Sequence, residues 1–379
     1  METNAVEQRR QFVRAYQSGL WTMTELCERY AVSRPTGYKW VARWAAEGDE
    51  GLAERERSPQ TCPHRTAEAV AEQLVAARRR YGWGATKLLK VVRTKRPGEA
   101  WPARSTVNAI LEREGLLQKR RTRLARSHPG ASPLETTTPN EVWPADFKGQ
   151  FKTRDGVYCY PLTVTDHFSR AVLLCRALRS TKTVEVRPAF EALFREFGLP
   201  EAIRTDNGSP FASTALHGLA PLNVWWMQLG IVHQRIRPGR PQMNGTHERM
   251  HRELKKETAA PAAATGRAQQ RRFDAFRRRY NEERPHEALG LATPASRWHR
   301  SPRAYPARIA GPDYPVHFEV RRVLANGTLK FRGQVPFLSH ALEGTEIGLE
   351  EITDGVWDLV YYRTVLGRLD ERTGTITAG

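Results

Sequence analysis

Apolar residues along this chain fall first at helical spacing, then in mixed helical and alternating runs, and last in alternating runs alone. Over residues 7–18, Phe12, Val13 and Tyr16 share one helical face. Thr22 and Glu25 make a capping box opening a short helix with Met23, Leu26 and Tyr30 on one side. Ala31-Val32-Ser33 is a tight turn, with Ser33 as N-cap of a third helix ending near Trp44. Pro35 is tolerated there because a first helical turn has no donor to lose. This pattern predicts a helix-turn-helix over residues 1–58. A second all-helical unit is expected over 64–118, with helices at 66–80, 85–94 and 104–114, the last closed by Gly115.

The period then changes. Residues 142–151, 157–165 and 171–178 read as strands, with turns at Arg154-Asp155-Gly156 and 166–170 between them. An amphipathic helix at 181–197, short strands at 202–205 and 231–235, and a charged helix from Glu248 complete a mixed α/β region over 139–300. Residues 258–268 interrupt it before a basic helix at 271–280. Strands at 316–322, 329–331 and 356–362, with turns at Asn326-Gly327 and Asp354-Gly355, predict a small all-β barrel over 312–379. The expected fold class is thus multidomain: N-terminal all-α helix-turn-helix units, an α/β core and a C-terminal all-β barrel.

Charge adds a partner to this picture. The net charge of +19 points to a polyanion, and the 40% hydrophobic content allows real cores. Residues 1–130 carry 25 Lys+Arg against 14 Asp+Glu, residues 131–311 carry 28 against 17, and residues 312–379 carry 7 against 10. DNA affinity is therefore expected in the first two regions, whereas the slightly acidic tail suits contact with a second subunit. Arg34, Lys39 and Arg43 lie on the exposed side of the third helix, placed to meet DNA. Arg104 opens the last helix of the second unit, and Lys119, Arg120, Arg121 and Arg123 crowd a basic linker over 119–138. Solvated basic surfaces are the plainer alternative. The four cysteines show no zinc spacing, and no run approaches the roughly 18 apolar residues of a spanning helix. A soluble, cytoplasmic, nucleoid-associated protein with reduced thiols is expected.

Three acidic residues carry the candidate chemistry: Asp146 in WPADFKG, Asp206 in RTDNGSPF and Glu248 in GRPQMNGTHERMHREL. Each sits where a strand ends or a helix begins. Brought to one point, three carboxylates suit Mg²⁺, with Mn²⁺ as substitute, and two such ions can clamp an in-line displacement at phosphorus. Asp155 and Asp166 compete with Asp146 but serve turns; Glu253 and Glu257 compete with Glu248 but can pair with neighbouring cations. Asn207 reads as a turn residue that could also orient a metal-bound water. His247, His251 and His286 are explained as exposed helix histidines and a loop cap, and Trp225-Trp226 as packing.

These motifs, with TVTDHFSRAVL and NEERPHEALGLATPASRW, resemble the bacterial insertion-sequence transposases of the DDE superfamily, whose core is similar to retroviral integrases. The resemblance covers nearly the whole chain. It implies a ribonuclease-H-like core, metal ligation by Asp146, Asp206 and Glu248, double-stranded DNA (terminal repeats and target) as partner, and a homo-oligomer on paired ends. The 41 residues between Asp206 and Glu248 exceed the gap in many integrases, so HGLAPLNVWWMQLG is expected to hold an additional helix. The implied reaction cuts element ends and joins their 3′-hydroxyls to target DNA by direct transesterification. A catalytically inactive helix-turn-helix regulator and a plain nuclease are the competing functions.

Overall fold

The computed structural model describes residues 5–55, 65–117, 136–211, 219–236 and 245–377. It divides into two compact units, Met1–Ala67 and Glu68–Gly379. The basic residues Lys119, Arg120, Arg121 and Arg123 lie outside the described residues.

In the first unit, α1 (Ala5–Gln17), α2 (Met23–Arg29) and α3 (Arg34–Glu47) enclose Phe12, Val13, Leu26 and Leu52. The capping box forms: Thr22 N donates to Glu25 Oε2 at 2.7 Å, and Glu25 N to Thr22 Oγ1 at 3.4 Å. Ser33 precedes α3 as expected but makes no side-chain cap; its hydroxyl meets Thr36 Oγ1 at 2.9 Å. Helix α3 crosses close over its neighbours because Gly37 lacks a side chain. A Cβ there would stand 2.8 Å from both Met23 Sδ and Phe12 Cζ.

The second unit opens with α4 (Glu68–Tyr81), α5 (Ala85–Lys95) and α6 (Arg104–Arg113), packed through Leu74, Leu88, Val107 and Leu111. The α/β core follows: β1 (Val142–Phe147), β2 (Phe151–Lys152), β3 (Tyr158–Thr165), β4 (Val172–Leu178), α7 (Thr183–Phe197), β5 (Ala202–Thr205), α8 (Pro221–Gln228), β6 (Val232–Arg235), α9 (Gly245–Leu254) and α10 (Gly266–Glu282). The expected first strand is therefore two, and α8 is the helix anticipated between Asp206 and Glu248. The sheet order is β2-β3-β1-β5-β6, with β4 also on β3. The β1, β3 and β4 pairings are antiparallel, and β1-β5-β6 run parallel. Strand alternation splits the core in two. Leu162, Val164 and Leu173 face α7 and α8, including the fully buried Trp225 and Trp226. Cys159, Val172 and Cys175 face Met250 and Leu254 of α9 and Phe273 and Phe276 of α10.

At the C-terminus, β7 (Glu319–Arg322), β8 (Glu346–Thr353), β9 (Val356–Tyr361), β10 (Thr364–Asp370) and β11 (Thr375–Thr377) pair antiparallel in the order β11-β10-β9-β8-β7. Gly355, at φ +73°, makes the expected β8–β9 hairpin turn. The expected barrel is instead an open sheet, since β7 and β11 are its two ends. Its apolar face is covered by other means. Leu329, Phe331, Leu338 and Leu342, from the connection between β7 and β8, fold onto it, as do Leu219, Val224 and Met227 from the α8 region. The expected strand at 329–331 survives only as isolated bridges within that cover. Among the described residues, no helix is long and apolar enough to cross a membrane.

Candidate active site

Asp146 lies near the end of β1, opposite Thr163 of β3. The parallel β1–β5 register pairs Val142 with Ala202, Trp143 with Ile203 and Pro144 with Arg204. Carried two residues on, the same offset sets Asp146 level with Asp206, just past the end of β5. Carboxyl ends of adjacent parallel strands are where open α/β sheets place their ligand sites. Asp206 is exposed and held by its own turn: Gly208 N donates to Asp206 Oδ1 at 3.0 Å. Asn207 serves that turn too, donating from Nδ2 to Ile236 O at 3.0 Å, which ties the loop to the end of β6.

Helix α9 crosses the Asp146 face of the sheet on His247, Met250, His251 and Leu254. Glu248 is exposed on the flank of that buried face, one turn from His251. Among the described residues it has no hydrogen-bond or ion-pair partner. Its competitors do: Arg284 Nη1 bonds Glu253 Oε2 at 2.9 Å, and Glu257 pairs with Arg279. Asp155 accepts from Thr153 Oγ1 at 2.5 Å within its hairpin. Asp166 is buried and accepts from Asn140 N, Ser169 N and Ser169 Oγ at 2.6–2.7 Å, so it closes a turn. Burial raises its pKa, against those hydrogen bonds.

The histidines are the correction to the sequence analysis. His247 and His251 are 2% and 4% exposed, not surface groups. Thr163 Oγ1 donates its one proton to Asp146 O at 3.1 Å and meets Nε2 of both rings at 2.7 Å. With the hydroxyl proton on that carbonyl, both rings donate from Nε2. His247 Nδ1 then accepts from Thr165 Oγ1 at 3.0 Å, and His251 Nδ1 turns a lone pair towards Asp146 Oδ2 at 3.9 Å. Burial holds both rings neutral, with pKa values lowered to about 3 and about 2, so that approach is not an ion pair.

Ligand atoms of Asp146, His247 and His251 lie within 4.8 Å of one another, the one such group of three among the described residues. Asp206 and Glu248 stand outside it. The HERMH run has the H-E-x-x-H spacing of zinc proteases, a pattern that could have drawn attention to these rings. The bonding argues against that chemistry, because both nitrogens of His247 are committed to threonines. On this face His251 Nδ1 is the ring nitrogen that meets no threonine, and it lies 3.9 Å from Asp146 Oδ2. The threonines at 163 and 165 open the TVTDHFSRAVL run, but that run gives them no role by itself, and only strand pairing and the packing of α9 reveal it.

A pH dependence follows from burial. His167 and His233 are likewise lowered to about 4, and His286 to about 3. In the folded chain these rings stay neutral down to those values, whereas the unfolded chain takes up protons through about 6.5. Below that pH the unfolded state binds more protons, so stability falls by about 1.4 kcal/mol per pH unit for each ring. Urea unfolding midpoints should therefore drop steeply between pH 6.5 and 5; an unchanged midpoint would contradict the buried neutral assignment.

Of the expected DNA contacts, Arg34 and Lys39 are exposed on α3, Arg43 is half-buried, and Arg104 is exposed at the start of α6.

Comparison with known proteins agrees with this layout. Residues 136–241 and 229–294 each match an integrase core domain family. Residues 8–60 match a helix-turn-helix domain, residues 36–111 a homeodomain-like domain, and residues 318–377 the C-terminal domain of IS481 family transposases. An uncharacterized protein of insertion element IS476 from Xanthomonas euvesicatoria is 32% identical over 192 residues, which are 49% of this chain and 52% of that protein. The Gag-Pol polyprotein of avian reticuloendotheliosis virus is 34% identical over 151 residues, 38% of this chain and 12% of the polyprotein. The chain thus spans at most about half the length of these relatives. The HTLV-2 integrase catalytic core domain, solved in complex with magnesium, aligns at 20% identity and a TM-score of 0.34, covering 44% of this chain and 100% of that one. In the order of its matched domains, helix-turn-helix, integrase core and IS481 transposase C-terminal domain, the chain is similar to insertion-sequence transposases with an integrase core.

Proposed function

We propose that this protein binds the ends of a DNA element, cuts them with the help of divalent metal, and joins the freed 3′-hydroxyls to target DNA. The β1–β5 register supports this reading: its pairs run to Pro144–Arg204, and the same offset continued two residues would bring Asp146 and Asp206 to neighbouring positions at the carboxyl edge of the sheet. Glu248, uncommitted on the helix that packs over Asp146, is the third member. The donor set fits Mg²⁺ or Mn²⁺: carboxylate oxygens for hard cations, with solvent exposure at Asp206 and Glu248 for water and phosphate. When bound, such ions would activate the attacking oxygen and stabilise the leaving one.

The residues themselves hold and orient. Asp206 is fixed by its turn, and Asp146 by the strand pair. Thr163 ties the Asp146 backbone to the two histidines of α9 and so fixes the helix that bears Glu248. Three carboxylates at one point repel, so metal binding and closure of the site should be coupled. In the first step water forms a bond to phosphorus and the 3′ oxygen leaves, taking a proton. In the second, that 3′-hydroxyl gives up its proton, bonds to a target phosphorus and displaces the target's own 3′ oxygen. No covalent protein intermediate is needed. Two ends must meet, so a homo-oligomer is expected, with Arg34, Lys39, Arg43, Arg104 and the basic linker on DNA.

A strand-transfer reaction with pre-cut ends and Mg²⁺ tests the joining step. Joined product is expected. A plain nuclease would yield none, and a DNA-binding regulator would neither cut nor join.

A further inference from the structure

Where the second helical unit meets the core, a polar cavity of about 360 Å³ opens beside the start of α5. Its volume lies in the range of roughly 300–1,000 Å³ typical of small-molecule sites. Four cations line it, Lys87 of α5, Arg104 of α6, Lys256 beyond α9 and Arg284 after α10, against the carboxylates of Glu253 and Glu287. Glu253 is taken by Arg284 at 2.9 Å. Among the described residues, Lys87, Arg104 and Lys256 have no carboxylate within 4.0 Å. Burial, then the Arg284 guanidinium, lowers the pKa of Lys87, a conflict that a bound anion would relieve. Two lining residues, Trp83 and Arg284, are 5% and 9% exposed and keep Nε1 and Nε without a partner. Gly84 leaves α5 without a side-chain cap. The walls are pinned together, since Tyr81 Oη donates to Glu283 Oε2 at 2.9 Å and accepts from Lys95 Nζ at 2.8 Å.

We infer that this cavity holds a backbone phosphate of the DNA strand that is cut, so that the second helical unit and the helix of Glu248 grip one strand. Lys256 follows Glu248 by eight residues, roughly 12 Å of helix, or a few nucleotides at about 3.4 Å of rise each. The inference rests on the transposase reading for the identity of the substrate. Phosphate contacts are blind to sequence, so a duplex of arbitrary sequence is a sufficient probe.

The test uses the full chain and a fluorescein-labelled duplex, titrated by anisotropy across a salt series without metal. Lys87→Gln and Arg104→Gln should each reduce the slope of log K against log salt by about 1, and the pair by about 2. Arg104 is exposed and Lys87 is unpaired, so neither change threatens the fold, and thermal melts check this. Unchanged slopes in both variants overturn the inference. So does a Lys87-dependent site for inorganic phosphate that leaves duplex binding untouched, since that describes a free-anion pocket. An Asp206→Asn chain run in parallel should show the parental slope. Cutting by that chain would overturn the catalytic assignment while leaving the cavity result standing.

Discussion

Replacing Asp206 by Asn is expected to leave DNA-end binding intact and to slow Mg²⁺-dependent cutting by at least about 10²–10³-fold, the order lost when one charge-stabilising group leaves an active site. The fold should tolerate it, because Gly208 N donates to Oδ1, which an amide oxygen replaces as acceptor. Asp146→Asn and Glu248→Gln should match it. Glu248 is the cleanest case, since among the described residues the exposed carboxylate has no internal partner to lose. Because three ligands would act as one unit, a double variant should be hardly slower than either single one. A nicking assay on a labelled end decides the matter. Turnover at parental rate in any of the three variants removes that residue from the site.

Ending the chain at Gly311 should destabilise the whole second unit rather than only delete a module. Leu219, Val224 and Met227 of the core are buried in the same cluster as Leu329, Phe331, Ile347 and Leu359. Gln228 Nε2 also donates to Tyr361 Oη at 2.8 Å. Uncovering three apolar side chains costs about 1.5–3 kcal/mol each as an upper estimate, a large part of the roughly 5–15 kcal/mol that holds a domain folded. The truncated chain should therefore melt well below the parent or aggregate. Val224→Thr with Met227→Gln should partly restore solubility. A parental melting temperature after truncation would show that the sheet is an independent appendage. Any assembly role for the slightly acidic tail must be tested by surface substitution, since deletion disturbs the core.

Local signals were legible wherever the relevant partners are close in sequence. The Thr22–Glu25 box, Gly115 with its positive φ, the Gly355 hairpin and the helices α4 to α7 follow from spacing, caps and turns. Reading Asp155 and Asp166 as turn residues was possible for the same reason, since Thr153 and Ser169 are two and three residues away. The cations that hold Glu253 and Glu257, Arg284 and Arg279, come instead from α10 and the segment after it and are set by tertiary packing. The open C-terminal sheet was not legible. Its closure depends on whether β7 meets β11, and the long β7–β8 connection and α8 occupy the face that closure would have covered.

The amino-acid order by itself determined the succession of helical, mixed and strand-rich regions, the basic bias of the first two, and three acidic motifs. Each is a property of neighbours a few residues apart. Tertiary structure alone decided that β1, which ends just past Asp146, runs parallel beside β5, which ends just before Asp206, a pairing of strands some sixty residues apart. It also decided that His247 and His251 are buried against Thr163. Helical periodicity places those rings on one face of α9, but only the sheet beneath makes that face the inside, where burial keeps them neutral.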